Sequence, residues 1–167
     1  MATALVVMDE SAGALDLEDI RLAVRASTPF SCSYTAWQRV GVSIPQIKVE
    51  TSVPLTIQIN GDPSYVPQEI QELADDLALL LGPEPGHRFR RATRRLEIRS
   101  ATPESAWFAG LSSLVTADAT DLDTRAADVR QVLESLADAV QGWVFDCQHG
   151  FFWSAGERIW ISCYRSS

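Results

Sequence analysis

GWVFDCQHGFFW, the sequence of residues 142–153, joins two aromatic segments through a short turn and decides the fold of the C-terminal third. A further segment, residues 158–164, follows a second polar stretch and is predicted to form a strand with Ile159, Ile161 and Cys163 on one face and Trp160, Ser162 and Tyr164 on the other. Short strands that follow one another through tight turns pair with their neighbours in antiparallel fashion. We therefore predict a C-terminal β-meander of two or three strands.

A helix is predicted immediately before this meander, over residues 124–140. Thr124 is a helix-capping residue type, and Gly142 stands where a left-handed residue often ends a helix. Between them, apolar residues recur at helical spacing and predict one buried stripe: Val129, Val132, Leu133, Leu136 and Val140. The C-terminal third should therefore build much of the core.

The rest of the chain mixes helix and strand patterns without regular alternation. Helical patterns cover residues 16–24, 66–80 and 102–115. Alternating or apolar runs predict strands over residues 4–8, 47–59 and 89–99. Ser64 is the predicted cap of the second helix, Pro54 breaks the second strand, and residues 30–45 fit either a hairpin or a loop.

This order favours an α+β fold: a largely antiparallel sheet with about three to four helices packed on one face and a C-terminal β-meander. The chain has 167 residues, of which 46% are apolar, as expected for one globular domain. Residues 1–45 are too few for a core of their own. We therefore predict a single domain over 1–167, in which 1–45 form at most a peripheral N-terminal subdomain.

The net charge of −8 disfavours nucleic acid as a ligand, because phosphate binding needs a positive footprint. It favours a protein partner with a basic surface. The N-terminal acids are either a solvated edge or the contact surface for that partner: Asp9, Glu10, Asp16, Glu18 and Asp19. Six arginines between Arg88 and Arg99 are interpreted as an edge or solvent-facing strand, with binding of an acidic ligand as the alternative.

The three cysteines, Cys32, Cys147 and Cys163, are odd in number and far apart. This spacing argues against a disulfide framework and a structural zinc site, and it favours a reduced, cytoplasmic setting. No apolar run is long enough to span a membrane, and the N-terminus lacks the positive start of a secretory signal. We expect no cofactor and no metal.

Cys147 and His149 could form a thiolate–imidazole pair, which would make the chain a small enzyme. Residues two apart on a strand share a side but need not touch, so a buried cysteine followed by a turn histidine is the favoured interpretation. Trp153 and Trp160 lie in short predicted strands, where partly exposed rings would mark an interface.

The stretch over residues 142–153 resembles the endings of small immunity proteins encoded beside bacterial polymorphic toxins. Those proteins often carry an aromatic strand, an Asp-x-Gln-x-Gly-like turn and another aromatic strand. The resemblance implies a non-enzymatic cytosolic protein that binds and neutralises a cognate toxin domain. We therefore expect a protein-binding module, with an assembly subunit of a secretion or phage-like particle and an enzyme using Cys147 and His149 as alternatives.

Overall fold

The computed structural model of the chain describes residues 3–8, 15–52, 54–87, 89–100, 124–146, 151–154 and 160–162. These residues form eight strands: β1 (Thr3–Val7), β2 (Ser31–Arg39), β3 (Val42–Glu50), β4 (Leu55–Asn60), β5 (Arg95–Ser100), β6 (Trp143–Asp146), β7 (Phe151–Ser154) and β8 (Trp160–Ser162). They also form four helices: α1 (Leu17–Ser27), α2 (Val66–Leu81), the short α3 (Glu84–His87) and α4 (Thr124–Val140). The predicted helix over 102–115 lies outside the described residues.

All eight strands belong to one sheet, in the order β2-β3-β4-β5-β1-β6-β7-β8, and every neighbouring pair is antiparallel. The α+β class and the antiparallel meander, β6 to β8, are therefore confirmed. β1 lies inside the sheet, where Leu5 stands opposite Glu97 on β5 and opposite Phe145 on β6. The N-terminal strand thus joins the first half of the sheet to the meander.

One face of the sheet is covered by α1 and α4. Ala4 and Val6 of β1 pack there with Ile20 and Val24 of α1. The predicted stripe of α4 is buried in the same cluster, namely Val129, Val132, Leu133, Leu136 and Val140. The helix bounds of α4 match the prediction, because a long periodic stripe specifies a helix strongly.

The opposite face carries a second core beneath α2. Val7, which follows Val6 on β1 and so points the other way, packs with Ile70 and Leu77 of α2. Phe89 completes this core, with its ring centroid 5.6 Å from Trp143 and 5.4 Å from Phe145. The helices are therefore divided between two faces, with α1 and α4 on one and α2 on the other, where the sequence pattern predicted one face.

The N-terminus of α2 also differs from the prediction. Tyr65 is the N-cap residue and makes no side-chain cap hydrogen bond. Ser64 instead donates through its backbone N–H and its hydroxyl to the Asp62 carboxylate, at 2.9 and 2.6 Å. Ser64 belongs to the preceding turn because an adjacent acceptor competes for its hydroxyl.

Residues 30–45 include a long hairpin. β2 and β3 pair from Ser31 and Glu50 to Arg39 and Val42, and Gly41 takes the positive φ of 75° that the turn needs. β3 pairs with β4 only between Ile47 and Val49, and Tyr34 stands opposite Ile47 where that pairing ends, so residues 34–46 hold the part of the hairpin that follows. We call residues 34–46 the hairpin arm.

Gly142 is required for a different reason than the predicted left-handed helix end. The positive φ belongs to Gln141, at 50°. A Cβ on Gly142 would lie 1.9 Å from the carbonyl oxygen of Val7. Glycine is needed because the chain leaving α4 passes directly against the central strand β1.

We expect Gly142→Ala to lower the free energy of unfolding by about 3 kcal/mol or more, since backbone must move to admit the methyl group. Gly82→Ala is the matched control: Gly82 has φ 85° but open space at its Cβ, so only backbone strain of about 1–2 kcal/mol is added. Urea unfolding of both variants measures the difference. An equal loss in the two would contradict the close approach of Gly142 to β1.

Candidate binding site on the polar sheet face

The second face of the sheet is polar where α2 does not cover it. Along β5, Leu96 and Ile98 point into the first core, while Arg95, Glu97 and Arg99 point to the other side. The strand begins at Arg95, later than the predicted start at residue 89, because Phe89 and Ala92 lie in a turn closed by a 2.9 Å backbone hydrogen bond.

The interpretation of this arginine-rich segment as an edge strand is wrong. β5 lies between β4 and β1, and Arg95 is only 7% exposed. A charged residue in the middle of a sheet needs partners that compensate for its lost hydration. The neighbouring strands supply them.

Glu97 is the centre of the resulting network. Its Oε1 accepts from Nδ2 of Asn60 at 2.6 Å and from Nε and Nη2 of Arg95 at 3.3 and 3.2 Å. Its Oε2 accepts from Nη2 of Arg99 at 2.7 Å and from Nε2 of Gln58 at 3.1 Å. Five donors on one carboxylate hold the ion at the centre of the sheet.

The sheet register explains why these groups meet. Glu97 stands opposite Gln58, and Arg95 and Arg99 stand opposite Asn60 and Thr56 on the same face of β4. Gln58 extends the network to β3, because its Oε1 accepts from Nε2 of Gln46 at 2.8 Å. Gln46, Gln58 and Glu97 are each no more than 6% exposed. Three strands therefore contribute to one buried row of hydrogen bonds.

The other end of the network reaches α2. Nη1 of Arg95 donates to the carboxylate of Glu69 in the first turn of the helix, and its guanidinium lies 5.8 Å from the ring centroid of Tyr65. Burial alone would lower the pKa of Arg95, but the carboxylates of Glu69 and Glu97 outweigh it and raise that pKa above its ordinary value. Arg95 thus stays charged and ties α2 to the sheet.

A cavity of about 840 Å³ lies over this network. Its lining includes the network residues Gln46, Gln58, Asn60, Arg95, Glu97 and Arg99. Two aromatic residues from different elements also line it, Trp37 on the hairpin arm at 40% exposure and Tyr65 at 39%. Tyr65 is held in place by a 2.7 Å hydrogen bond from Nδ2 of Asn60 to its hydroxyl.

The ion pairs beneath the cavity balance one another. Two guanidinium groups balance the carboxylates of Glu69 and Glu97, so the network carries no net charge. Fixed amides and ion pairs between two exposed rings present hydrogen-bonding groups and apolar surface to a ligand.

No family model, curated protein or solved structure matches this chain. The site is therefore interpreted from its own geometry. In the described part of the chain, no cluster of three or more His, Cys, Asp or Glu side chains could hold a metal ion. Nor does that part contain a helix long and apolar enough to cross a membrane.

Three of the predicted acidic contact residues, Asp16, Glu18 and Asp19, make contacts within their own helix, α1. Asp16 and Asp19 form a capping box at the start of α1, each carboxylate accepting from the other's backbone N–H at 3.0 and 2.9 Å. Glu18 accepts from Arg21 at 2.7 and 2.8 Å. The role of these three acids in partner binding stays a prediction. Asp9 and Glu10 lie outside the described residues.

For the predicted aromatic contacts Trp153 and Trp160, the structure describes the backbone only. Trp153 on β7 stands opposite Trp160 on β8, near the far edge of the sheet from the cavity. Their side chains lie outside the described residues, as do Cys147 and His149. Sequence reasoning did not select Trp37 or Tyr65, because neither lies in a clear periodic pattern.

We expect Glu97→Gln to lower the free energy of unfolding by about 3 kcal/mol, since it leaves two arginines without their shared carboxylate in the sheet centre. Glu72→Gln on the exposed surface of α2 is the control and should change stability by about 0.5 kcal/mol or less. Chemical denaturation measures both. A neutral result for Glu97→Gln would show that the network is not structural.

The capping box makes the stability of α1 depend on pH. The backbone N–H of Asp19 lowers the pKa of Asp16, so the ionised cap stabilises the folded state above the ordinary aspartate range and is lost as pH falls through the lowered pKa. Asp16→Ala should therefore lower the Tm at pH 7 and lower it less at pH 2. Thermal unfolding followed by circular dichroism tests this, and a loss that is independent of pH would contradict it.

Proposed function

We propose that this chain is a non-enzymatic protein-binding module acting in the cytoplasm, and that the polar sheet face and the hairpin arm form its contact surface. The observation that carries the proposal is the cavity, which combines a buried, hydrogen-bonded polar floor with exposed rings of Trp37 and Tyr65. Interfaces concentrate binding energy in aromatic and arginine residues beside fixed polar groups.

The hairpin arm supports the same proposal through its exposed apolar side chains. Of the seven large apolar side chains that are exposed in the described part of the chain, four lie on it: Tyr34, Trp37, Val40 and Val42. Val40 at the turn is fully exposed. A two-stranded arm is marginally stable alone, so apolar groups at its tip are better explained by a partner than by the core.

The most concrete form of this function is that of an immunity protein that neutralises a bacterial toxin domain. The support is the resemblance over residues 142–153 together with the net charge of −8, which would steer the chain towards a basic toxin surface. The three widely spaced cysteines support the cytoplasmic setting, because they do not form the pattern of a disulfide framework.

Trp37→Ala should weaken binding of the partner about 30-fold, because a central tryptophan in an interface typically contributes about 2 kcal/mol. Leu79→Ala is the matched control: Leu79 is 83% exposed on α2 and does not line the cavity, so its truncation should leave affinity unchanged. The protein encoded by the adjacent gene is the first partner to test, by isothermal titration calorimetry at two salt concentrations.

Thermal unfolding must show that both variants fold as the wild type does. Failure of the neighbouring product to bind would remove the immunity proposal. Equal affinity of the Trp37 and Leu79 variants for a partner that does bind would contradict the cavity and arm as the contact surface.

A further inference from the structure

β2 is an edge strand without the usual protection against pairing. It is the outermost strand on its side of the described sheet and pairs with β3 along all nine residues, from Ser31 to Arg39. The register is one-to-one, so no bulge interrupts it. It contains no proline or lysine, and its single charge, Arg39, lies at its end. Natural edges of this length usually carry such devices.

The hairpin turn determines which backbone groups face outward. Arg39 and Val42 flank a two-residue turn and therefore form a hydrogen-bonded pair, after which paired and unpaired positions alternate. The outward N–H and C=O groups consequently belong to four residues of β2: Cys32, Tyr34, Ala36 and Gln38. Pro45 stands opposite Ala36, where β3 donates nothing to β2, which agrees with this assignment.

The charge around this edge is opposite to that of the whole protein. Residues 20–49 contain four basic residues and no acid, although the chain carries a net charge of −8. Arg21 is paired with Glu18, and Lys48 lies 3.1 Å from Glu50. Arg25 and Arg39 are exposed and have no ion pair within the described part of the chain. A positive edge attracts an acidic segment.

Exposed rings lie along the same strand. Tyr34 is 56% exposed, and the guanidinium of Arg21 lies 5.4 Å from its ring centroid. Trp37 faces the other side of the sheet and lines the cavity. An added strand would therefore meet one aromatic ring on each face through alternate side chains.

We propose that the outer edge of β2 accepts an extended, acidic segment of the partner protein as an additional strand of the sheet. The proposal rests on the protein-binding function above and names how and by what chemistry that partner is held. The net charge of −8 favours a partner with a basic surface, whereas the segment proposed to bind at this edge is acidic. A second copy of the chain is disfavoured as the occupant, because pairing β2 with itself would bring two basic, acid-free segments together.

The test variant is Ala36→Pro. Proline removes one outward N–H from β2 and leaves every hydrogen bond to β3 in place, since Ala36 does not donate to β3. Ala36→Thr is the matched control, because it keeps the N–H and suits a strand. Dispersion of the ¹⁵N–¹H spectrum and the Tm check that both variants fold.

The probe is a fluorescein-labelled peptide of about ten residues that alternates valine and glutamate, with a valine–lysine peptide as its charge control. Fluorescence anisotropy should show binding of the acidic peptide to the wild type and to Ala36→Thr, and about tenfold weaker binding to Ala36→Pro. The lysine peptide should bind about tenfold more weakly than the acidic one. Amide shifts should be largest at Cys32, Tyr34 and Gln38 on binding.

Equal binding of the acidic peptide to Ala36→Pro and Ala36→Thr would overturn strand addition, as would failure of the acidic peptide to bind the wild type. Stronger binding of the lysine peptide would overturn the charge assignment. A dimer in size-exclusion chromatography that Ala36→Pro converts to a monomer would show that a second copy occupies the edge. Each of these results leaves the Trp37-dependent binding of a partner as a separate measurement, so failure of the edge and failure of the proposed function are distinguishable.

Discussion

The pairing of β1 on both of its edges is the constraint on which the rest of the structure depends. β1 hydrogen-bonds to β5 on one side and to β6 on the other, and it is the only connection within the described sheet between β2–β5 and the meander. Val6 and Val7 are fully buried on opposite faces, so one short strand contributes to both cores. Gly142 is part of this constraint because it passes against the Val7 carbonyl.

The polar face of the sheet is the part that α2 does not cover. The helix packs on Val7, Trp143 and Phe145 and reaches Arg95 at the start of β5, which leaves the same face of β3, β4 and the rest of β5 without a helix in the described part of the chain. Glu97 and its five donors occupy that region, and Glu69 connects it to the helix through Arg95. The floor of the candidate site is therefore also the joint between α2 and the sheet. A surface built in this way is preorganised for binding.

The sequence predicted the elements better than it predicted their arrangement. The stripe of α4, the helix over residues 66–80 and the break at Pro54 were recovered because periodicity and proline act locally. Arg95, Glu97 and Arg99 alternate as a solvent-facing strand would, and only the strand order shows that they lie in the sheet centre. β2 gave no alternation because nearly all of its residues are exposed on both faces, so neither the edge nor Trp37 could be identified. The sequence shows that residues 20–49 contain no acid, but only the strand order shows that this basic segment includes the outermost strand, β2.

The position of β1 has a consequence for the order of folding during synthesis. The contacts of β1 lie about 90 residues away on β5 and about 140 residues away on β6 along the chain. The β2–β3–β4 hairpins can form from local contacts while β1 has no partner on either side. The pairing with β5 is therefore available well before the pairing with β6, and β1 keeps one unpaired edge until β6 has left the ribosome. The nascent protein is most prone to aggregation during that interval. The position of β1 between β5 and β6 therefore makes completion of the sheet a late event in folding.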